Sequence, residues 1–359
     1  MQTSYNQRFP VSQKASYKSG DNVDFVLSYP NKCIVGNSIR ISGTLDVYST
    51  GNTRLINQQV YYDNYCGIHS FFNNIVVSSQ TKGVVENQSD YARWIKMRNT
   101  GTKVDSQIVS NARDLNELLC SDSSITNIYM NQSLPFSFIP DVCINNFIGT
   151  GVIPYSKVGD LTLSVRLSQP VECLFGSGMT NDVNFTISDL SCEYLTVAEQ
   201  KNEQSIPMLI SYSVKQVLNS MNSMINVKLP AIVNRVSASF LRVSEELTLT
   251  YNNLEMERPT GIRKLYYSFN DQTNTFISFP VESIEDMIEH YLSSFFRTDD
   301  KNGCTLMKLN DNKFFGVGLD FEGQTNLVNN SFGVNIVSDI TSGDPYYIFI
   351  YFRGVISLF

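Results

Sequence analysis

Asp160-Leu161-Thr162-Leu163-Ser164-Val165-Arg166-Leu167 alternates apolar and polar side chains without a break. Successive side chains of an extended chain point to opposite faces, so Leu161, Leu163, Val165 and Leu167 face a core while Thr162, Ser164 and Arg166 face away. This is a strand with one wet face. Similar short runs between turn clusters lie upstream at Val23 to Tyr29, Ser38 to Tyr48 and Phe71 to Ser78. Downstream, Val183 to Val197 alternates more loosely around Asp189. Tyr346 to Phe352 is apolar throughout, as expected of a strand covered on both faces.

Helices interrupt these strands instead of alternating with them, which argues against a parallel nucleotide-binding sheet. The clearest spans Ser283 to Arg297. Ile284, Met287, Ile288, Tyr291, Leu292, Phe295 and Phe296 recur at helical steps, and Glu282, Glu285 and Asp286 load the N-terminal turn, where the helix dipole favours anions. Asp90 to Arg98 and Ser106 to Cys120 carry weaker helical patterns. Glu199 to Ser205 holds no apolar residue and makes the best internal boundary. The reading is a basic N-terminal arm (1–20), a first strand series (21–198), a linker (199–205) and a second series (206–359). Each series is long enough for eight strands of roughly 5 to 6 residues. Two tandem all-β sandwiches satisfy the pattern.

The length of 359 residues suits two domains. Hydrophobic residues at 42% against charged residues at 17% exclude disorder. A net charge of -7 excludes a surface given over to nucleic-acid binding. The seven Cys contain no CxxC pair, so buried free thiols are expected rather than a zinc or redox motif. The N-terminus has no apolar signal core and the chain no run of about 18 apolar residues, so neither a standard secretion signal nor a membrane-spanning helix is expected.

Chemistry is thin. His69 and His290 are the only two histidines, and no GxSxG elbow or Walker A motif accompanies them. Asp286 and His290 stand one helical turn apart, but HExxH is absent and an ordinary helical ion pair is the better reading. Phe175 to Gly178 and Phe315 to Gly318 do not lead from strand into helix as a phosphate cradle would. In the second of them, glycine points to a bulge or a close backbone approach. The phenylalanines of the second half fall in core registers. We therefore expect no enzyme, no catalytic residue, no cofactor and no metal. The first twenty residues carry Arg8, Lys14 and Lys18 with no acidic residue, and read either as a flexible tail or as a basic arm lying on a neighbouring subunit or on something anionic.

Several segments also resemble a known family. Gly67-Ile68-His69-Ser70-Phe71-Phe72-Asn73-Asn74-Ile75-Val76-Val77 followed by Glu86 to Tyr91, and Leu134 to Phe138 through Ile153-Pro154-Tyr155 to Gly159–Leu167, are similar to stretches of the double jelly-roll major capsid proteins of tailless icosahedral DNA viruses. Phe185 to Leu195, Ile262 to Phe269, Phe279-Pro280 with the Ser283 helix, and Asp344 to Phe352 follow in matching order. The resemblance implies two eight-stranded antiparallel jelly rolls with short helices in late loops, a homotrimer forming a pseudo-hexagonal capsomer, and a place in the virion shell after assembly inside the host cell. It implies neighbouring capsomers and vertex (penton) and minor capsid proteins as partners, with weak contact to packaged DNA or an internal membrane through the arm. Arg8, Lys14, Lys18, His69, Phe71 and Phe72, together with the two late-loop helices, Ser106 to Cys120 and Ser283 to Arg297, are the candidate subunit contacts. The rival readings are a receptor- or glycan-binding β-sandwich such as a fibre or vertex protein, a hydrolase built on Asp286, Glu289 and His290, and a single-roll vertex protein.

Overall fold

The computed structural model describes residues 3–49, 60–63, 65–101, 133–146, 151–199, 207–228, 232–270, 276–294, 313–326 and 331–357. The first half supplies β1 (Ser4–Arg8), β2 (Ser16–Lys18), β3 (Asn22–Leu27), β4 (Lys32–Val35), β5 (Arg40–Ser49), β6 (Phe72–Ser79), β7 (Gly83–Gln88), β8 (Leu134–Phe138), β9 (Val152–Pro154), β10 (Leu161–Leu167) and β11 (Val183–Ala198). The second half supplies β12 (Pro207–Leu218), β13 (Asn222–Lys228), β14 (Ile232–Arg242), β15 (Lys264–Asn270), β16 (Phe276–Val281), β17 (Gly316–Asn326), β18 (Ser331–Val337) and β19 (Tyr346–Ser357).

The pairing gives both halves one topology. In the first, β2-β11-β5-β8 lie in one sheet and β3-β10-β6-β7 in another; in the second, β12-β19-β14-β17 and β13-β18-β15-β16. Counted along each half from these eight strands, both read first-eighth-third-sixth against second-seventh-fourth-fifth. This is the double Greek key of a jelly roll, present twice. β4 and β9 extend the first roll's β11 sheet. β7 of the first roll and β12 of the second run parallel through one pair, Asn87 and Tyr212, so that two four-stranded sheets become one of eight strands.

Local sequence explains the elements. Leu161, Leu163, Val165 and Leu167 are buried along β10 and the residues between them are not. The looseness of β11 is a β-bulge. Asp189 takes a left-handed φ of 52° and the register against β5 shifts between Ser188 and Ser191. One extra residue moves the buried set from Val183, Phe185 and Ile187 to Leu190, Cys192 and Tyr194, because a strand's sides alternate every residue. β19 lies between β12 and β14, and a different roll covers each of its faces. Phe352 packs on Phe332 of the second roll at 5.6 Å, while Tyr351 packs at 5.6 Å on Trp94 of the first. A strand with no wet face carries no polar alternation.

Two helices occupy the same place in the two rolls, between the fifth and sixth strands: α1 (Tyr91–Gly101) and α2 (Ile284–Ser293). Ser283 caps α2, its hydroxyl accepting from Asp286 N at 3.0 Å. α2 seats on β17 because Gly316 and Gly318 have no side chain. A Cβ at Gly316 would fall 2.3 Å from the Tyr291 ring, and one at Gly318 would fall 2.4 Å from the Ser294 hydroxyl. The Ser106 to Cys120 helix, the 199–205 linker apart from Glu199, and Phe295 to Arg297 lie outside the described residues.

Two expectations need correction. The first twenty residues are no free arm: β1 and β2 pair with β11 on the side opposite β5, completing that sheet. The Gly67 to Val77 segment, which carries the candidate contacts His69, Phe71 and Phe72, does not offer an exposed edge either. It forms a 3-10 turn (Gly67–Phe71) leading into β6, which runs between β7 and β10 inside the large sheet.

Candidate functional site

The polar chemistry of the chain gathers where the two rolls meet. α1 is buried on every side from Tyr91 to Met97, including Arg93 and Lys96. A buried charge needs a partner, and each of these has one across or beside the seam. Arg93 donates to the carbonyl of Glu255 at 2.8 Å and to that of Asn253, both in the second roll, and its guanidinium lies 4.0 Å over the Phe349 ring. Lys96 pairs with Asp63 at 2.5 Å, and Asn252 of the second roll donates to the same carboxylate oxygen at 2.7 Å. Tyr291 of α2 donates to Met97 O of α1 at 3.2 Å, so the equivalent helices of the two rolls touch.

Asp141 is the second node. It pairs with Arg98 at 2.9 Å and faces Arg353 of β19 at 3.8 Å. It accepts from Trp94 Nε1 and from Asn146 Nδ2, each at 2.6 Å. Burial alone would raise its carboxyl pKa, but the two guanidinium groups and these donors outweigh burial and hold it far below the usual carboxylate range. Glu86 on β7 is the third node. It accepts from Ser211 N of β12 at 2.7 Å, Cys143 N at 2.6 Å and Gln88 Nε2 at 2.9 Å. Here burial wins over the three N–H donors, and the carboxyl is pushed up to about 7. The single parallel strand pair joining the rolls is thus flanked by buried hydrogen bonds and ion pairs that fix one roll against the other.

The sequence candidates fall in two groups. His69, Phe71 and Phe72, expected at a subunit contact, are buried inside the first roll and their side chains are not offered to a neighbour. His69 Nδ1 lies 2.8 Å from the Tyr91 hydroxyl, and its ring meets Phe138 edge-on at 4.6 Å. Arg8 is tied down by its own roll, through Tyr194 at 3.2 Å and Ser28 O at 2.8 Å. Lys14 bonds Asp21 at 3.0 Å and remains on the surface, as does Lys18. Asp286 and Glu289 lie on the outer face of α2 and His290 is half-buried. Among the described residues no group of three His, Cys, Asp or Glu has the geometry to hold a metal ion. Cys33, Cys66, Cys143, Cys173 and Cys192 are buried free thiols, and burial pushes those of Cys66, Cys143, Cys173 and Cys192 up, keeping them neutral. Cys120 and Cys304 lie outside the described residues.

The seam went unseen in the sequence. Asp63, Glu86, Asp141 and Arg353 are scattered singly along the chain, and only the fold brings them together. The faces left to solvent show two groups of exposed large apolar side chains: Tyr5, Phe9 and Val11 at the start of the first roll, and Val217, Met221 and Met224 about the β12–β13 turn of the second.

No family model matches the chain, and no curated protein matches it. Solved structures do. The Faustovirus major capsid protein superposes with a TM-score of 0.64 at 9% identity, over 99% of this chain and 90% of that one. PBCV-1 VP54, fitted into a reconstruction of the virophage Sputnik, gives 0.64 at 8% identity over 99% and 93%. The STIV MCP gives 0.52 at 10% identity over 99% and 97%. Likeness over nearly the whole of both chains at such low identity is likeness of fold: this chain is a double jelly roll.

Proposed function

We propose that this chain is a major capsid protein, a building brick whose homotrimer is a pseudo-hexagonal capsomer tiling an icosahedral viral shell. The observation that carries the reading is the pair of topologically identical rolls locked in one chain by a shared sheet and a buried polar seam. Three such chains place six similar rolls about one threefold axis, so a single gene product fills a near-sixfold lattice position. Function of this kind is geometry, and it requires that the angle between rolls be fixed before assembly. Among the solved structures of like fold, the Faustovirus protein is named as a major capsid protein, which supports the reading.

Contacts within the trimer bury apolar area of the kind found in obligate interfaces, roughly 2,000 Å² or more, and contacts between trimers are smaller and more polar. The two exposed apolar groups are the surfaces we assign to such contacts. Neighbouring capsomers, vertex and minor proteins are the further partners, with the virion as the place of action. The protein performs no reaction on a substrate. Electron-microscope images of the purified protein test this: three-lobed, near-hexagonal units or sheets and shells of them are expected, and isolated single-chain particles at every concentration would overturn it.

A further inference from the structure

The seam holds one arrangement that neither the fold nor the coat role requires. Lys96 Nζ lies 2.5 Å from Asp63 Oδ2, with both side chains 2% exposed. The rings of Tyr65 and Phe314 flank the ammonium at 4.7 and 5.3 Å and meet edge-on, walling the pair from water. Asp63 is fixed from the other side: its Oδ1 accepts from Tyr65 N at 2.9 Å and Cys66 N at 3.2 Å, and its Oδ2 also accepts from Asn252 Nδ2 at 2.7 Å. A third ionisable group completes the set. Glu255 of the second roll interacts electrostatically with both Lys96 and Asp63, and its Oε2 is buried without a hydrogen-bond partner. Burial raises the Glu255 carboxyl above its ordinary range, which favours its protonated form over that of a solvated glutamate.

We propose that Lys96 and Asp63 become joined by an intramolecular isopeptide bond, with Glu255 as the proton carrier. The neutral forms react after one proton passes from the ammonium to the aspartate. Lys96 Nζ then attacks Asp63 Cγ, forming a C–N bond. A Cγ–O bond breaks, and the hydroxyl leaves as water with the proton that Glu255 supplies. Glu255 is restored by the proton shed from Nζ. The balance is amine plus carboxylic acid giving amide plus one water, and no atom changes oxidation state.

Two physical arguments favour the step. A buried ion pair carries the desolvation cost of two charges, whereas the amide carries none. The reacting groups are also held in contact by the fold, which replaces a rare encounter by a fixed one. The bond ties the turn at Asp63 to α1, closing a covalent loop against the second roll.

Intact-mass measurement of the full chain, followed by a tryptic map, tests this independently of assembly. The expected result is a mass lower than the sequence mass by one water and a branched peptide joining Asp63 to Lys96, uncut after Lys96. Lys96→Arg keeps the cation and should carry the full sequence mass. Glu255→Gln should slow the loss of water in freshly translated protein by about a hundredfold. Full mass in the wild type, with trypsin cleaving after Lys96, would overturn the proposal. Loss of ammonia with Lys96 joined to Asn252 would overturn the choice of Asp63, and a wild-type rate in Glu255→Gln would overturn the role of Glu255.

Discussion

Asp141 and Glu86 are both buried carboxyls at the same seam, yet their surroundings push them in opposite directions. Asp141 has two guanidinium groups nearby and Glu86 has only neutral donors. Asp141→Asn leaves Arg98 and Arg353 without their counter-charge and should cost about 3–5 kcal/mol of unfolding free energy, read from urea titration. The pH dependences also differ in sign. Asp141 has a lowered native pKa, so its contribution is complete above the ordinary value of 3.8 and is lost as pH falls through the depressed one. Glu86 holds its proton in the native state up to about 7 against 4.5 when unfolded. The native state therefore binds more protons between those values, and stability falls as pH rises through that window. Glu86→Gln should flatten this part of the profile: the loss of urea stability from about pH 5 to about pH 7 should be smaller in the variant than in the wild type. Equal losses would contradict the assignment.

Elements were legible in the sequence wherever one face of them is wet. β10 and α2 show clean alternation or helical spacing because solvent lies on one side, and the reading holds along β10 and along α2 as far as Leu292. α1 was faint because Arg93 and Lys96 interrupt its apolar pattern, and they do so because the helix is buried all round: Arg93 answers a carbonyl of the other roll and Lys96 the carboxylate of Asp63 in its own. β1 and β2 escaped notice because most of their side chains are exposed or half-exposed; their role is backbone pairing with β11, which leaves no hydrophobic signature. His69 was misplaced for a related reason: a polar residue in an apolar run looks like a surface contact until Tyr91 and Phe138 are seen around it. The glycines of β17, by contrast, were legible as a close approach. Gly316→Ala would set a methyl group against the Tyr291 ring and should destabilise by about 1–3 kcal/mol, a loss that urea unfolding would register. No loss would mean that α2 is not seated there.

At the scale of the molecule, two rolls of one topology share a sheet, and β19 shows the consequence: one face belongs to the core of its own roll and the other to the seam. The twofold design was visible in the order of the strand series. The pairing of α1 with α2 was not, because the resemblance put the first late-loop helix at Ser106 to Cys120, outside the described residues, whereas α1 begins at Tyr91. Nor was the rigidity of the pair visible, since it rests on single charged residues far apart in the chain. On the proposed reading such a brick acts only in company, and the exposed apolar groups on both rolls are the surfaces assigned to its contacts. The central claim is therefore tested most directly by the mass of the full chain in solution at micromolar concentration. The account predicts a species of three times 40.5 kDa that persists on dilution. A species of 40.5 kDa at every concentration would contradict it.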